Sequence, residues 1–255
     1  MRQKQSLFVA NWKMNLSFSE EIDFVTSNYD GLITLAAQTK QQIILCPSFL
    51  SLHAISKIFS QTPIKIGAQT CSPHTHGAFT GQVSPESINS VGCSFCIIGH
   101  SETRTRTEED DESIALRSVH LLDYDVTPII CIGETKQEQS KTLDILERQL
   151  APLFKAICSQ TIIHTYINPI IAYEPIWSIG TGAVADEEHL EMVFAWLHQH
   201  TKQACPKIGF KFLYGGSVDE KSIQILKKIP QIDGFLVGKA SLDFQEFKKI
   251  VLSGV

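Results

Sequence analysis

Pro169-Ile-Ile-Ala-Tyr-Glu174 is the stretch that decides the fold. Apolar residues run without interruption into a carboxylate, and Pro175 then breaks the run. A strand covered on both faces reads this way, because neither face needs polar residues for water. Beyond a glycine-bearing loop comes Asp186–Gln203. Its apolar residues Leu190, Val193, Phe194 and Leu197 recur at steps of three, one and three, the spacing of a helix face. Asp186-Glu187-Glu188 opens that segment, where a helix dipole favours acids.

The same strand-then-helix unit recurs in both directions along the chain. Strands are predicted at Leu7–Trp12, Gln42–Cys46, Ile64–Gln69, Phe95–His100, Val126–Glu134, Pro169–Glu174, Lys211–Gly215 and Asp233–Val237. Each is followed by helical spacing, most clearly in Thr142–Cys158 with Leu143, Leu146, Leu150 and Leu153. Strands that alternate with helices pair in parallel. Eight such units in 255 residues predict one closed (β/α)8 barrel, eight parallel strands ringed by helices, filling residues 1–255 as a single domain. An open doubly wound sheet is the alternative. No linker, low-complexity segment or charge block marks a second domain.

Composition narrows the function classes. The net charge of −5 argues against a general nucleic-acid binder, which shows a basic face. The N-terminal Met-Arg-Gln-Lys-Gln-Ser is polar, unlike a secretion signal, and no apolar run reaches the roughly 18 residues of a membrane helix. A soluble cytoplasmic protein is expected. Seven cysteines cannot all pair, and most lie in apolar runs such as Ile-Ile-Leu-Cys46. Buried reduced thiols are the simple expectation.

Polar residues collect at the C-terminal ends of the predicted strands, where parallel barrels carry their active sites. The first ends in Asn11 and Lys13, which share a face at a two-residue period. Others end in Gly99-His100-Ser101, Tyr173-Glu174-Pro175, Tyr214-Gly215-Gly216-Ser217 and Val237-Gly238. One His or Glu at a strand end is usually a boundary residue. Together these ends supply a base, an imidazole, an ammonium, an amide and two glycine-rich anion cradles. With no metal-ligand spacing and no cofactor fingerprint, that set points to proton transfer on a small phosphorylated carbonyl compound.

At these same residues the chain resembles the triosephosphate isomerase family. The matching segments are Val9-Ala-Asn-Trp-Lys-Met-Asn15, Gly77-Ala-Phe-Thr-Gly81, Ile98-Gly-His-Ser-Glu102, Cys131-Ile-Gly-Glu134, Ala172-Tyr-Glu-Pro-Ile-Trp177, Ile179-Gly-Thr-Gly182, Tyr214-Gly-Gly-Ser-Val218 and Asp233-Gly-Phe-Leu-Val-Gly238. Each is weak alone; in this order, over residues 9 to 238, they are very specific. The resemblance implies a cofactor-independent isomerase that interconverts dihydroxyacetone phosphate and D-glyceraldehyde 3-phosphate through an enediolate, in glycolysis and gluconeogenesis. It implies Glu174 as the base, a role that suits a carboxylate in a closed, dry site. His100 becomes a neutral imidazole that polarises the substrate oxygen. The segment after it, Ser101-Glu102-Thr103, is a candidate helix start whose dipole would disfavour imidazolium. Lys13 would hold substrate and offset its negative charge, and Asn11 would donate a hydrogen bond. Glu102 would stand behind Lys13. Gly180, Ser217, Gly238 and the N–H of Lys239 would bind phosphate, as backbone donors at glycine turns can. Pro175 to Ala183 would be a lid that keeps water from the enediolate. The family also implies a homodimer through the loop Gln69–Ser84, with Thr80 directed at the partner's site and Met14 at the contact.

The chain departs from the family pattern at several positions. Gln82 and Thr103 stand where the family usually carries a Glu–Arg ion pair at the subunit contact. Both charges are absent together, so no ion is orphaned. Ala183 replaces the usual Lys at the end of the lid, and Lys239 replaces a common Gly. If position 239 needs a positive φ, Lys there costs about 1–2 kcal/mol.

Other motifs carry less. Gly180-Thr-Gly182-Ala-Val-Ala185 matches a dinucleotide fingerprint, but it follows the sixth strand and lacks the acidic partner. Gly234–Ala240 misses a P-loop in spacing and in its last residue. Cys93-Ser-Phe-Cys96 reads as core, with thiols on opposite faces of a strand. His74/His76 and His198/His200 read as solvated surface groups. An aldolase would want a Schiff-base lysine inside the barrel, and only Lys13 is a candidate; a silent phosphate-binding barrel sits badly with Glu174, His100 and Lys13 together.

Overall fold

The computed structural model describes residues 5–107, 109–158, 167–180 and 185–254. Eight strands close into one parallel barrel in chain order: β1 (Leu7–Asn11), β2 (Gln42–Cys46), β3 (Lys65–Ala68), β4 (Phe95–Ile98), β5 (Thr127–Ile132), β6 (Ile170–Tyr173), β7 (Lys211–Tyr214) and β8 (Gly234–Val237). The ring is completed by β1 against β8, with Leu7 opposite Gly234 and Ala10 opposite Val237. The closed sheet replaces the open doubly wound alternative. Most observed strands are a residue or two shorter than predicted: residues such as Gln69, His100 and Glu174 leave the ladder at the C-terminal ends, and Ile64, Pro169 and Asp233 lie outside it at the N-terminal ends.

Around the barrel run α1 (Phe18–Ser27), α2 (Tyr29–Thr39), α3 (Phe49–Ile58), α4 (Pro85–Ser90), α5 (Ser101–Arg106), α6 (Asp111–Asp123), α7 (Thr142–Cys158), α8 (Glu187–Ala204), α9 (Ser222–Leu226) and α10 (Phe244–Ser253). In α8 the predicted stripe of Leu190, Val193, Phe194 and Leu197 is fully buried. Asp186 stands at its N-cap and Glu187-Glu188 in its first turn, as the dipole favours. No helix among the described residues is long and apolar enough to cross a membrane.

Strand alternation divides the core into two layers. Leu7, Val9, Ile44, Cys46, Phe95, Ile97, Ile129, Cys131, Ile170, Ala172, Leu213 and Leu236 fill the barrel interior. Their alternates, such as Phe8, Ala10, Leu45, Cys96, Ile130 and Tyr173, pack outward against the helices. A layered interior of branched side chains plugs the barrel, so ligands can enter only at its ends. Carrying the two-residue period one step further puts Asn11 and Glu174 above the inner layer, at the C-terminal mouth.

Two expectations about cysteines need correction. Cys158 and Cys205 form a disulfide with a Cα–Cα distance of 5.4 Å, joining the end of α7 to the end of α8. They are far apart in sequence and sit at helix termini that meet at the barrel's foot, so sequence spacing gave no sign of the pair. Cys46, Cys71, Cys93, Cys96 and Cys131 are free and buried, as expected. Cys93 and Cys96 do not point to opposite faces. Cys93 precedes β4 rather than lying in it, and both thiols join the outer layer. Burial pushes the Cys93 thiol up to about 12, which suits packing rather than redox work.

Candidate active site

At the C-terminal mouth a cleft of about 740 Å³ is lined by Asn11, Lys13, His100, Glu102, Glu174, Gly180, Ser217, Gly238 and Lys239. Every site residue named from the sequence is among these. They come from the ends of five strands and meet only because the barrel closes.

Glu174 directly follows β6 and is 2% exposed. Its Oε1 lies 3.1 Å from His100 Nε2. Its Oε2 accepts the Ser101 N–H at 3.1 Å, a donor not anticipated from sequence. The glycines beside it clear its path. A Cβ on Gly133 would meet the Glu174 carbonyl oxygen at 1.8 Å, and one on Gly215 would meet its Cγ at 2.9 Å. Gly133 is itself held by Gln149 of α7, which accepts from its N–H at 2.9 Å and donates to its carbonyl at 3.0 Å.

His100 is the N-cap of α5, so the helix start read from Ser101-Glu102-Thr103 is present. The Glu102 N–H donates to His100 Nδ1 at 3.2 Å. A ring nitrogen that accepts leaves the other, Nε2, as the donor, and Nε2 is the atom facing Glu174.

Lys13 corrects the two-residue argument. The strand stops at Asn11, and Lys13 lies beyond it in left-handed backbone, φ 53°. Asn11 Oδ1 accepts the Lys13 N–H at 3.1 Å. Gln69 Nε2 donates to the Lys13 carbonyl at 2.8 Å and to that of Cys46 at 3.0 Å. Asn11 and Lys13 thus reach the same cleft through a pinned turn, not through strand alternation. Gln69 is read from sequence only as the end of the third strand and a boundary of the dimer loop; no sequence signal marks it as the brace. The Lys13 ammonium bonds Glu102 Oε1 at 2.8 Å. Burial pushes the Glu102 carboxyl up, but the Lys13 hydrogen bond and charge outweigh this and hold it below its ordinary value.

Gly238 and Lys239 follow β8 at the start of a 3-10 turn, Lys239–Leu242. Lys239 is not among the residues with positive φ, so the feared cost at this position does not arise. Gly180 has φ +70°, the left-handed region that favours glycine. Ser217 Oγ donates to the Ser178 carbonyl at 2.6 Å, tying the β7 loop to the segment after Glu174. Gly182 and Ala183 of the expected lid lie outside the described residues.

The turn after Glu174 is anchored by a buried group the sequence reading left without a role. Glu134 is fully buried. It accepts from Tyr173 Oη at 3.0 Å and from Trp177 Nε1 at 2.8 Å. His189 Nε2 lies 2.8 Å from the same phenol oxygen. Burial and the Glu134 charge push the Tyr173 phenol far above its ordinary range, so it stays a donor. Elsewhere, Thr103 donates to Glu109 Oε2 at 2.8 Å and Gln82 accepts from Ser72 at 2.5 Å. Both family substitutions are therefore satisfied within the chain. His74 stacks on Phe79 at 3.8 Å and His200 on Trp196 at 4.4 Å, and no metal-binding group of three or more side chains occurs among the described residues.

A parallel barrel whose C-terminal mouth joins a buried carboxylate, an imidazole and an ammonium has the groups that can pass a proton, and it defines the class of α/β-barrel enzymes. A sequence profile described as triosephosphate isomerase matches residues 6–253. The triosephosphate isomerase of Aquifex aeolicus is 37% identical over 97% of this chain and 98% of its own length. That of Endomicrobium trichonymphae is 35% identical over 97% and 98%. That of Bdellovibrio bacteriovorus is 37% identical over 96% and 98%. The chain belongs to the triosephosphate isomerase family, and it is an isomerase.

Proposed function

We propose that this isomerase interconverts dihydroxyacetone phosphate and D-glyceraldehyde 3-phosphate in glycolysis and gluconeogenesis, with Glu174 as base and His100 as electrophile. Glu174 takes a proton from the hydroxyl-bearing carbon. The electron pair moves into the carbonyl, and charge gathers on its oxygen. His100 Nε2–H and the Lys13 ammonium stabilise that oxygen, and Asn11 keeps Lys13 in place. One hydroxyl proton shifts between the two oxygens through the imidazole, and Glu174 returns its proton to the neighbouring carbon. Nothing is gained or lost, so the reaction needs no cofactor.

The observation that carries this reading is Glu174, 2% exposed, with its Oε1 3.1 Å from His100 Nε2. Base and electrophile face each other until a substrate comes between them. Phosphate would sit on the N–H groups around Gly180, Ser217, Gly238 and Lys239, so that the expulsion-prone enediolate is held away from water beneath the lid. The purified chain is expected to turn over glyceraldehyde 3-phosphate in a coupled assay. No turnover at millimolar substrate would sink the proposal.

Residues 1–255 work as one domain, and a cytoplasmic homodimer through Gln69–Ser84 completes the reading. Met14 is 96% exposed and Phe79 39%, apolar surface that a partner subunit would cover, with Thr80 beside it.

A further inference from the structure

The cleft's charges conflict with the substrate proposed for it. Its lining includes the carboxylates Glu102, Glu174, Asp219, Asp243 and Glu246, against the ammonium groups of Lys13 and Lys239. The whole chain is also negative, at −5. A dianionic phosphate therefore approaches an acidic mouth. Lys13 is already bound to Glu102 at 2.8 Å. The Lys239 side chain is exposed and its ammonium makes no ion pair or hydrogen bond with another described residue. Its position is specific: it directly follows Gly238 and opens the turn Lys239–Leu242. Gly238 in turn faces the Lys13 stem, since a Cβ there would lie 3.7 Å from Lys13 Cε.

We infer that the Lys239 ammonium is a positioning group for the substrate's phosphate, supplying the positive charge that Lys13 shares with Glu102. This rests on the triose-phosphate reading above. The side chain acts on binding and capture rather than on the proton transfer, since its ammonium makes no ion pair or hydrogen bond with Glu174 or His100. Its charge also raises the rate at which dianions are drawn in, an effect that salt screens. An exposed pair is worth little, about 1 kcal/mol at most, which corresponds to a roughly 3–5-fold change in affinity.

The test compares wild type, Lys239→Met and Lys239→Arg. Met keeps the backbone N–H and the stem, so it removes charge alone. Inorganic phosphate binding is measured by calorimetry, and KM, kcat and the ionic-strength dependence of kcat/KM by steady-state assay. Lys239→Met is expected to weaken phosphate binding and raise KM by the same roughly 3–5-fold. The loss should fall on KM more than on kcat, the salt dependence should flatten, and Lys239→Arg should restore both. Equal phosphate affinity and parallel salt dependence in wild type and Lys239→Met would overturn the inference, as would an Arg variant that behaves like Met. Should the wild type bind phosphate yet turn over no triose phosphate, the functional reading fails, while the calorimetry still decides the role of Lys239.

Discussion

Lys13 occupies left-handed backbone that costs an L-residue about 1–2 kcal/mol, and Asn11 and Gln69 hold it there. The strain aims one ammonium at the cleft and at Glu102. Because Glu102 is held below its ordinary carboxyl value of 4.5, its pairing adds stability that is fully present above that pH. The contribution is lost as pH falls from there through the lower value in the folded chain. Denaturant titrations of wild type and Glu102→Gln should therefore differ by a constant amount from pH 7 to about 5 and converge below. A gap that widened on acidification would contradict the direction of the shift. At this scale much was legible: Glu174, His100, Lys13 and Asn11 stood out as polar residues at strand ends. Gln69, Gln149 and the Ser101 N–H did not, since an ordinary glutamine or backbone amide shows its use only when distant segments meet.

Elements decide how firmly the site is held. Glu174 lies between β6, whose Tyr173 donates to buried Glu134, and the turn that places Trp177 on the same carboxylate. Glu174 is thus clamped on both sides. At the other end of the barrel the Cys158–Cys205 disulfide ties α7 to α8, enclosing β6 and the turn after it in the closed loop. Removing it with Cys158→Ser should cost about 2–4 kcal/mol, read as a lower denaturant midpoint. Reductant should lower the wild-type midpoint likewise and leave the variant unmoved. Equal midpoints for oxidised and reduced wild type would show that the bond bears no load. Strand and helix positions were readable from apolar runs and helical steps, because burial demands those patterns. Exact ends were not, because polar residues such as His100 and Glu174 serve the mouth rather than the ladder.

For the whole molecule, closure is what the sequence pattern implied only through its eight repeats, and the β1–β8 pairing supplies it. Closure gathers residues from position 11 to position 239 around one cleft. Subunit association was inferred from family resemblance alone, since composition does not announce an interface. The exposed Met14, Phe49, Leu50 and Phe79 give that inference a surface. Sedimentation should find a dimer for the wild type, and Met14→Glu should shift it towards monomer with lower activity, because a buried unpaired charge is costly at a contact. A wild type that stays monomeric at all concentrations would refute the dimer.

The central claim is that Glu174 moves the proton. Turnover of glyceraldehyde 3-phosphate by wild type and by Glu174→Gln, purified side by side, tests it most directly. Gln keeps the shape and loses the base, so kcat should fall by about 10²–10⁴-fold or more while the folded state persists. Equal rates in the two proteins would mean that another group is the base, and the account of this site would be wrong.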